Sequence, residues 1–386
     1  MADYDMVLFG ATGFTGTLTA EYLARNAPPG CRWALAGRNR GKLEHLRGKL
    51  TAIDERLGTL PLLTADSADP HSLRAVAAAA KVVATTVGPY LHYGEPLVAA
   101  CAAEGTGYVD LTGEPEFVDR MYLAHHAKAA ETGARLVHCC GFDSIPHDLG
   151  AWFTVRQLPE GVPLQVDGYV RVGALPSGGT FHTALNAFAR QIEANRAAKE
   201  RAAADPAPAG RTVRTPIGGP HRVPGTGQWA VPLPTIDPQV VGRSARASAR
   251  YGPDFRYRHF AAFESLPSLA GAAAGMGALF AAAQLAPARE GLSKLLAPGR
   301  GPSPQRRARS WFSVRFTGTG DGEQVTTEVS GGDPGYDETA KMLAESALCL
   351  AFDDLPPTAG QVTTATAMGD ALIERLTRAG MAFRRL

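Results

Sequence analysis

The sequence predicts an α/β protein in two parts, a doubly wound parallel sheet followed by an α+β region. Three observations carry that reading. Over the first 150 residues, short apolar runs alternate with stretches of helical periodicity, the pattern of strands joined by crossover helices. The first run ends in three evenly spaced glycines, Gly10, Gly13 and Gly16. From about residue 151 the rhythm changes to isolated strands, long helices and a Pro/Gly-rich stretch.

The bulk composition sets the frame. At 386 residues the chain exceeds what one hydrophobic core organises, so two domains are expected, 1–150 and 151–386. Hydrophobic residues at 45% and charged residues at 20% describe an ordinary globular protein. A net charge of +2 with no compact Lys/Arg block excludes a nucleic-acid partner from the expectations. The five cysteines, Cys31, Cys101, Cys139, Cys140 and Cys349, are odd in number and irregularly spaced, which argues against a disulfide framework. The N-terminus opens with acids and runs straight into a strand, without the pattern of a signal peptide. A reducing, cytoplasmic setting is the expectation.

In the first part, strands are expected at 4–9, 33–36, 60–64, 82–87, 108–111 and 135–139. Helices are expected near 14–26, 40–50, 69–79, 94–104 and 116–132. In the second part, 165–172 alternates as a strand and 178–204 reads as a polar-faced helix. Residues 205–238 are crowded with Pro and Gly and carry no periodicity, so they read as a lid or a disordered insert. Further strands follow at 256–263, 310–317 and 323–329. Helices near 336–350 and 369–380 form a tail expected to pack back on the fold.

The stretch Gly10-Ala11-Thr12-Gly13-Phe14-Thr15-Gly16 is the most informative. A strand runs into it and a helix leaves it at once, with Phe14, Leu18 and Tyr22 at helical spacing. Gly10 allows the tight exit from the strand, Gly13 lets backbone approach a pyrophosphate, and Gly16 lets the helix lie close on the sheet. The pyrophosphate would then rest on the free N–H groups and positive end of that helix. This is the phosphate turn of a Rossmann-type domain, in its G-x-x-G-x-x-G form. A tight strand-to-helix turn without a ligand is the bland alternative, disfavoured by the strand–turn–helix context.

The second strand ends in Ala36-Gly37-Arg38-Asn39-Arg40. An NAD enzyme places Asp or Glu there to accept from the ribose 2′-OH. Arg38 instead offers a guanidinium fork to a 2′-phosphate, so NADP(H) is favoured. Arg40 and Lys42 read equally as solvated charges at a helix start. Asp66, after the third strand, is placed for the adenine edge. Thr86, Val87, Gly88 and Pro89, after the fourth, are placed for the nicotinamide half.

With these residues in hand, the chain resembles the saccharopine-dehydrogenase-like oxidoreductases, and within them the trans-acting enoyl reductase branch. The matching pieces are the glycine turn, Ala36-Gly37-Arg38, Val87-Gly88-Pro89-Tyr90 with Tyr93-Gly94, and Asp110-Leu111-Thr112-Gly113-Glu114. Cys140-Gly141-Phe142-Asp143-Ser144-Ile145-Pro146 with Asp148, Ser177–Thr180 and Gly332–Tyr336 with Thr339–Leu343 complete the set. The resemblance spans essentially the whole chain. It implies an NADP-binding domain beside a smaller α+β domain. It also implies reduction of a carbon–carbon double bond in a polyketide or lipid acyl intermediate handed over by a synthase, some members being linked to glycolipid assembly and the plasma membrane. The amino-acid-binding residues of true saccharopine enzymes have no counterpart in the sequence. A saccharopine-type imine or amino-acid reductase and a non-catalytic NADPH sensor stand as the alternatives.

Reducing an activated double bond requires a hydride at the β-carbon, a donor to the enolate oxygen and a proton for the α-carbon. Candidate donors lie after strands four and six: Tyr90, His92, Tyr93, Asp143, Ser144 and His147, with plain packing against the cofactor an equal reading for the two tyrosines. Asp143 and Ser144 also suit capping of a helix that starts near Pro146, and capping ranks first for Asp143. Gly178-Gly179-Thr180 opens a helix that suits either an anionic substrate group or a plain N-terminal turn. The histidines, including His125–His126, show no metal-ligand spacing, so no metal is expected.

Residues 265–288 hold no charge. Ala and Gly dominate, and a single span would separate the tail from the first domain. Burial in the fold or a homodimer contact through Gly271-x-x-x-Gly275 is the leading reading, with an interfacial helix on anionic lipid as the alternative.

Overall fold

The computed structural model of the chain describes residues 2–174, 190–205, 207–284 and 301–386. Its strands, in chain order, begin with β1 Tyr4–Phe9, β2 Trp33–Gly37, β3 Leu62–Thr64, β4 Ala80–Thr85, β5 Gly107–Val109, β6 Arg135–Val137 and β7 Leu164–Val172. They continue with β8 Thr212–Arg214, β9 His221–Arg222, β10 Trp229–Pro232, β11 Asp254–Phe263, β12 Phe312–Gly320, β13 Glu323–Gly331, β14 Gly360–Val362 and β15 Ala382–Arg385. Two compact units result. One is Met1–Phe142 with Gly335–Ala379, the other Asp143–Pro334 with Gly380–Leu386.

The first unit is a seven-stranded sheet in the order β14-β6-β5-β4-β1-β2-β3, parallel throughout. Five of the six residues of β1 and all of β2 are buried, as strands covered on both faces must be. The crossover helices start where local chemistry starts them. Asn39 accepts from the Lys42 N–H ahead of Arg40–Thr51, and Asp69 accepts from His71 N–H with Pro70 in the first turn of Pro70–Ala79. Six strands are where the sequence places them. The seventh, β14, comes from the tail, so residues 335–379 belong to this unit and not with the region beginning at 151. Their anchor is polar. Arg375 pairs with Asp353 at 2.5 Å and Glu345 at 3.2 Å, and Tyr22 donates to Glu345 at 2.7 Å. The helices Phe14–Asn26, Asp337–Phe352 and Gly369–Arg378 are thereby joined.

The second unit is an eight-stranded mixed sheet, β15-β13-β12-β7-β11-β10-β9, with β8 paired parallel to β11. Burial alternates residue by residue along β12, leaving one face for the helix Ile145–Val155. The two lie so close that a Cβ on Gly150 would fall 2.3 Å from the Phe316 ring. The stretch 205–238, expected as a lid or insert, instead supplies β8, β9 and β10. Tyr169, Val223, Ala230, Phe260 and Ala262 pack as a small core beneath it, which replaces the periodicity that such short strands cannot show.

The uncharged segment forms the helix Leu266–Gln284; residues 285–288 lie outside the described residues. It is not buried in the fold. Of its residues whose side chains are described, only Leu269 is half-buried, and a Cβ at Gly271, Gly275 or Gly277 would meet nothing within 4 Å. Among the described residues no helix is long and apolar enough to cross a membrane.

The tightest backbone approach in the first unit lies at the end of β1. Gly10 takes a positive φ of 82°, and a Cβ on Gly16 would fall 2.3 Å from the Gly10 carbonyl oxygen. Replacing glycine by alanine inside a helix ordinarily stabilises it; Gly16→Ala should do the reverse. The added methyl forces helix and strand apart, costing about 1–3 kcal/mol. Thermal and urea melts would show the loss, and an unchanged melting temperature would contradict the close approach.

Candidate active site

The parallel strands of the first unit all deliver their carboxyl ends to one edge of the sheet, where such folds bind ligands. At the end of β1, Gly10, Ala11 and Thr12 form the turn and Gly13 caps the helix Phe14–Asn26 in an extended conformation. The Gly13 side chain position is open, since a Cβ there would only touch the Gly10 oxygen at 3.4 Å. Thr86 clamps the turn from the neighbouring strand, donating from its hydroxyl to the Gly10 carbonyl at 3.1 Å. Phe14 meets the Tyr336 ring edge-on at 4.9 Å, and the Thr15 carbonyl accepts from Thr19. The N-terminal N–H groups of this helix and its bare glycines fit a pyrophosphate.

Beyond β2 the three basic residues separate. Arg40 is committed, bonding Glu44 at 3.0 Å and the Leu62 carbonyl at 2.8 Å. Lys42 is exposed in the first turn of its helix, where its N–H is held by Asn39. Arg38 is exposed and makes no hydrogen bond or ion pair among the described residues, which leaves its whole fork for a 2′-phosphate. Asp66 is half-buried and closes its own turn through the Ala68 N–H, so one of its carboxylate oxygens is already engaged. The fit of the first unit to NADP(H) therefore rests on the glycine turn and Arg38.

After β4, the Thr85 hydroxyl accepts from the Val87 N–H at 3.2 Å, and the Gly88–Pro89 bond is cis. Glu114 receives the N–H groups of Tyr90 and Leu91, both at 3.0 Å. Tyr90, read from the sequence as a proton donor, is a strut instead. Its buried phenol donates to the Thr85 carbonyl and accepts from the Leu111 N–H, each at 3.1 Å. Burial also pushes that phenol well above the ordinary tyrosine range. Tyr93, by contrast, is exposed, with His92 beside it.

Sequence reasoning missed the centre of this edge. Asp110, fully buried after β5, accepts from Tyr108 at 2.9 Å, from the N–H groups of Thr112 and Cys139, and lies 2.6 Å from His138 Nδ1. Cys139 turns there with a φ of 62°, and the Cys140 N–H reaches the Asp110 carbonyl at 2.7 Å. One carboxylate thus pins the loops after β5 and β6 together. The cysteines have a structural place, and all five are free thiols. The Asp110-Leu111-Thr112 motif was visible in sequence; its partner His138 carried no signal.

The second unit begins at Asp143. Neither Asp143 nor Ser144 caps the helix Ile145–Val155: Ser144 stands at the cap position without a side-chain hydrogen bond. The Asp143 carboxyl, half-buried, is pushed up to about 7 by burial and by the charge of Asp237. Asp237 itself is driven up by burial and, more strongly, down by His147, His259 and the Thr235 hydroxyl, ending well below the usual carboxylate range. Burial holds His147 down at about 4, so it is neutral. Asp143 is therefore the one candidate donor of the second unit that holds a titratable proton near neutrality. Gly178-Gly179-Thr180 lies outside the described residues.

The comparisons with known proteins agree with this chemistry. Residues 6–137 match the family described as saccharopine dehydrogenase NADP binding domain. A Mycobacterium tuberculosis protein provisionally named a trans-acting enoyl reductase is 39% identical over 99% of this chain and 97% of its own length. The trans-acting enoyl reductases of Mycobacterium bovis and Mycobacterium ulcerans are 37% and 35% identical, each over 98% of this chain and 97% of theirs. Among solved structures, the apo saccharopine dehydrogenase (L-Glu forming) of Saccharomyces cerevisiae matches over 99% of both chains, with a TM-score of 0.57 at 12% identity, a likeness of fold. With a glycine turn and an exposed arginine after the second strand of a parallel sheet, and relatives this similar over its full length, the chain belongs to the trans-acting enoyl reductase family and is an NADP-binding oxidoreductase.

Proposed function

We propose that the protein reduces an activated carbon–carbon double bond in an acyl intermediate of lipid or polyketide assembly, brought to it by a separate synthase. Bound NADPH supplies the hydride. The glycine turn holds the pyrophosphate on the first helix, and Arg38 holds the 2′-phosphate. Asp143 gives the proton that completes saturation at the α-carbon, and exposed Tyr93 offers a phenolic O–H to the enolate oxygen. The observation that carries the reading is the likeness of the whole chain to trans-acting enoyl reductases, together with a glycine turn and an exposed Arg38 that fit NADPH. The Asp143 carboxyl makes no hydrogen bond among the described residues, and burial and the neighbouring Asp237 charge raise it to about 7.

Arg38→Asp should weaken NADPH binding by about 1.5–3 kcal/mol, because it removes charge-assisted bonds and adds repulsion. NADH affinity should change little, so the preference collapses. Titration with both cofactors measures this, and an undiminished NADPH affinity would refute the role of Arg38.

NADPH oxidation against a panel of enoyl thioesters and of keto-acid/amine pairs tests the reaction. Turnover is expected with the thioesters alone; turnover with the pairs alone, or tight NADPH binding without any turnover, would overturn the reading. Because an ionised Asp143 has no proton to give, the rate should fall as pH rises through about 7. Asp143→Asn should lose that limb and about 10²–10⁴-fold in kcat. A variant with wild-type kcat and the same pH limb would remove Asp143 from the reaction.

A further inference from the structure

We propose that the second unit holds a divalent transition-metal ion of the zinc class on His147, Asp237 and His259. The three side chains come from three packed elements, the helices Ile145–Val155 and Asp237–Ala247 and strand β11. All are buried, with side chains 1–2% exposed. Asp237 Oδ1 lies 3.6 Å from His147 Nε2, and Oδ2 lies 3.3 Å from His259 Nε2.

Those separations decide between two arrangements. A hydrogen-bonded His–Asp–His chain draws its heavy atoms to about 2.7–2.9 Å. Two ligands on one tetrahedral zinc, with bonds of about 2.0–2.2 Å, stand roughly 3.3–3.5 Å apart. The two carboxylate–imidazole distances are close to those of co-ligands. Consistently, Asp237 Oδ1 and His259 Nε2 make no hydrogen bond among the described residues, although both are buried. Leaving a carboxylate oxygen and an imidazole nitrogen unsatisfied in the interior is costly, and an ion between them satisfies both. The three ligand atoms lie within 4.8 Å of one another, so one ion reaches all of them with about an ångström of closure.

The outer partners are those of a metal site. His259 Nδ1 lies 2.9 Å from the Tyr257 hydroxyl; in the tautomer whose Nδ1–H donates to that oxygen, Nε2 carries no proton and can ligate, and the Thr235 hydroxyl donates to Asp237 Oδ2. Two histidines and one carboxylate leave a tetrahedral ion one open position, the pattern of catalytic rather than structural zinc. No metal is expected from the sequence, because the ligands are far apart along the chain and share no motif. The inference stands on these residues alone; the Asp237 charge that helps to raise the Asp143 carboxyl is that of the metal-free protein, and a bound ion would offset it.

Full-length protein stripped with a chelator and titrated with zinc, in competition with a chromophoric chelator, should take up one tight equivalent and melt at a higher temperature. His259→Gln and Asp237→Asn should each lose that equivalent while keeping the far-UV circular dichroism and NADPH binding of the parent. Cobalt(II) loaded into the unmutated protein should show the intense visible bands of tetrahedral coordination, a readout that needs no variant to fold. Zinc uptake no greater than that of His259→Gln, uptake unchanged in both variants, or an octahedral cobalt spectrum would overturn the proposal.

Discussion

The carbonyl of Gly10 presses against the bare Cα of Gly16, and the NADP-binding unit is organised around that contact. A Cβ at residue 16 would stand 2.3 Å from the carbonyl oxygen and 2.9 Å from the Thr86 hydroxyl that clamps it. Only without side chains can the first helix begin so near the end of β1. The N–H groups of its first turn then converge on the sheet edge where the six other strands also end. The positive φ of Gly10 makes the turn that short. Arg38, one strand over, presents an exposed guanidinium at this edge, and the Asp110 carboxylate ties together the loops after β5 and β6 on its far side.

Most of the first unit was legible because a buried parallel sheet writes itself plainly, as apolar runs, helical spacing and capping residues at the joins. What was not legible depends on contacts between distant segments. The tail strand β14 is three residues long and joins β6 through pairing that sequence pattern cannot foresee. The strands β8 to β10 are two to four residues long, and the glycines and prolines between them mimic a loop until β11 pairs with β8 and β10, and β10 with β9. The helix Leu266–Gln284 misled in the other direction. An uncharged run suggested burial, yet alanine and glycine carry so little apolar surface that the helix stands exposed on its own unit.

The site divides in the same way. Residues that act through backbone geometry or through lone exposed charge, such as Gly10, Gly13 and Arg38, could be read from local context. Residues defined by their partners could not. Tyr90 looked like a donor because tyrosine after a strand end often is one; its hydroxyl is spent on Thr85 and Leu111. Asp143 looked like a helix cap, but the cap position falls one residue later, at Ser144. His147 was read as a candidate proton donor and His259 as one of the histidines without metal-ligand spacing, and only folding brings them to Asp237.

One variant separates the cofactor role of the glycine turn from its structural role. Gly13, unlike Gly16, has room for a side chain in the protein itself, with φ at −72° and its nearest neighbour the Gly10 oxygen at 3.4 Å. Gly13→Val should therefore fold with the circular dichroism and melting behaviour of the parent. Its branched side chain would occupy the space a pyrophosphate must enter, so NADPH affinity should fall at least tenfold, about 1.4 kcal/mol. A folded Gly13→Val protein that binds NADPH with unaltered affinity would contradict the account.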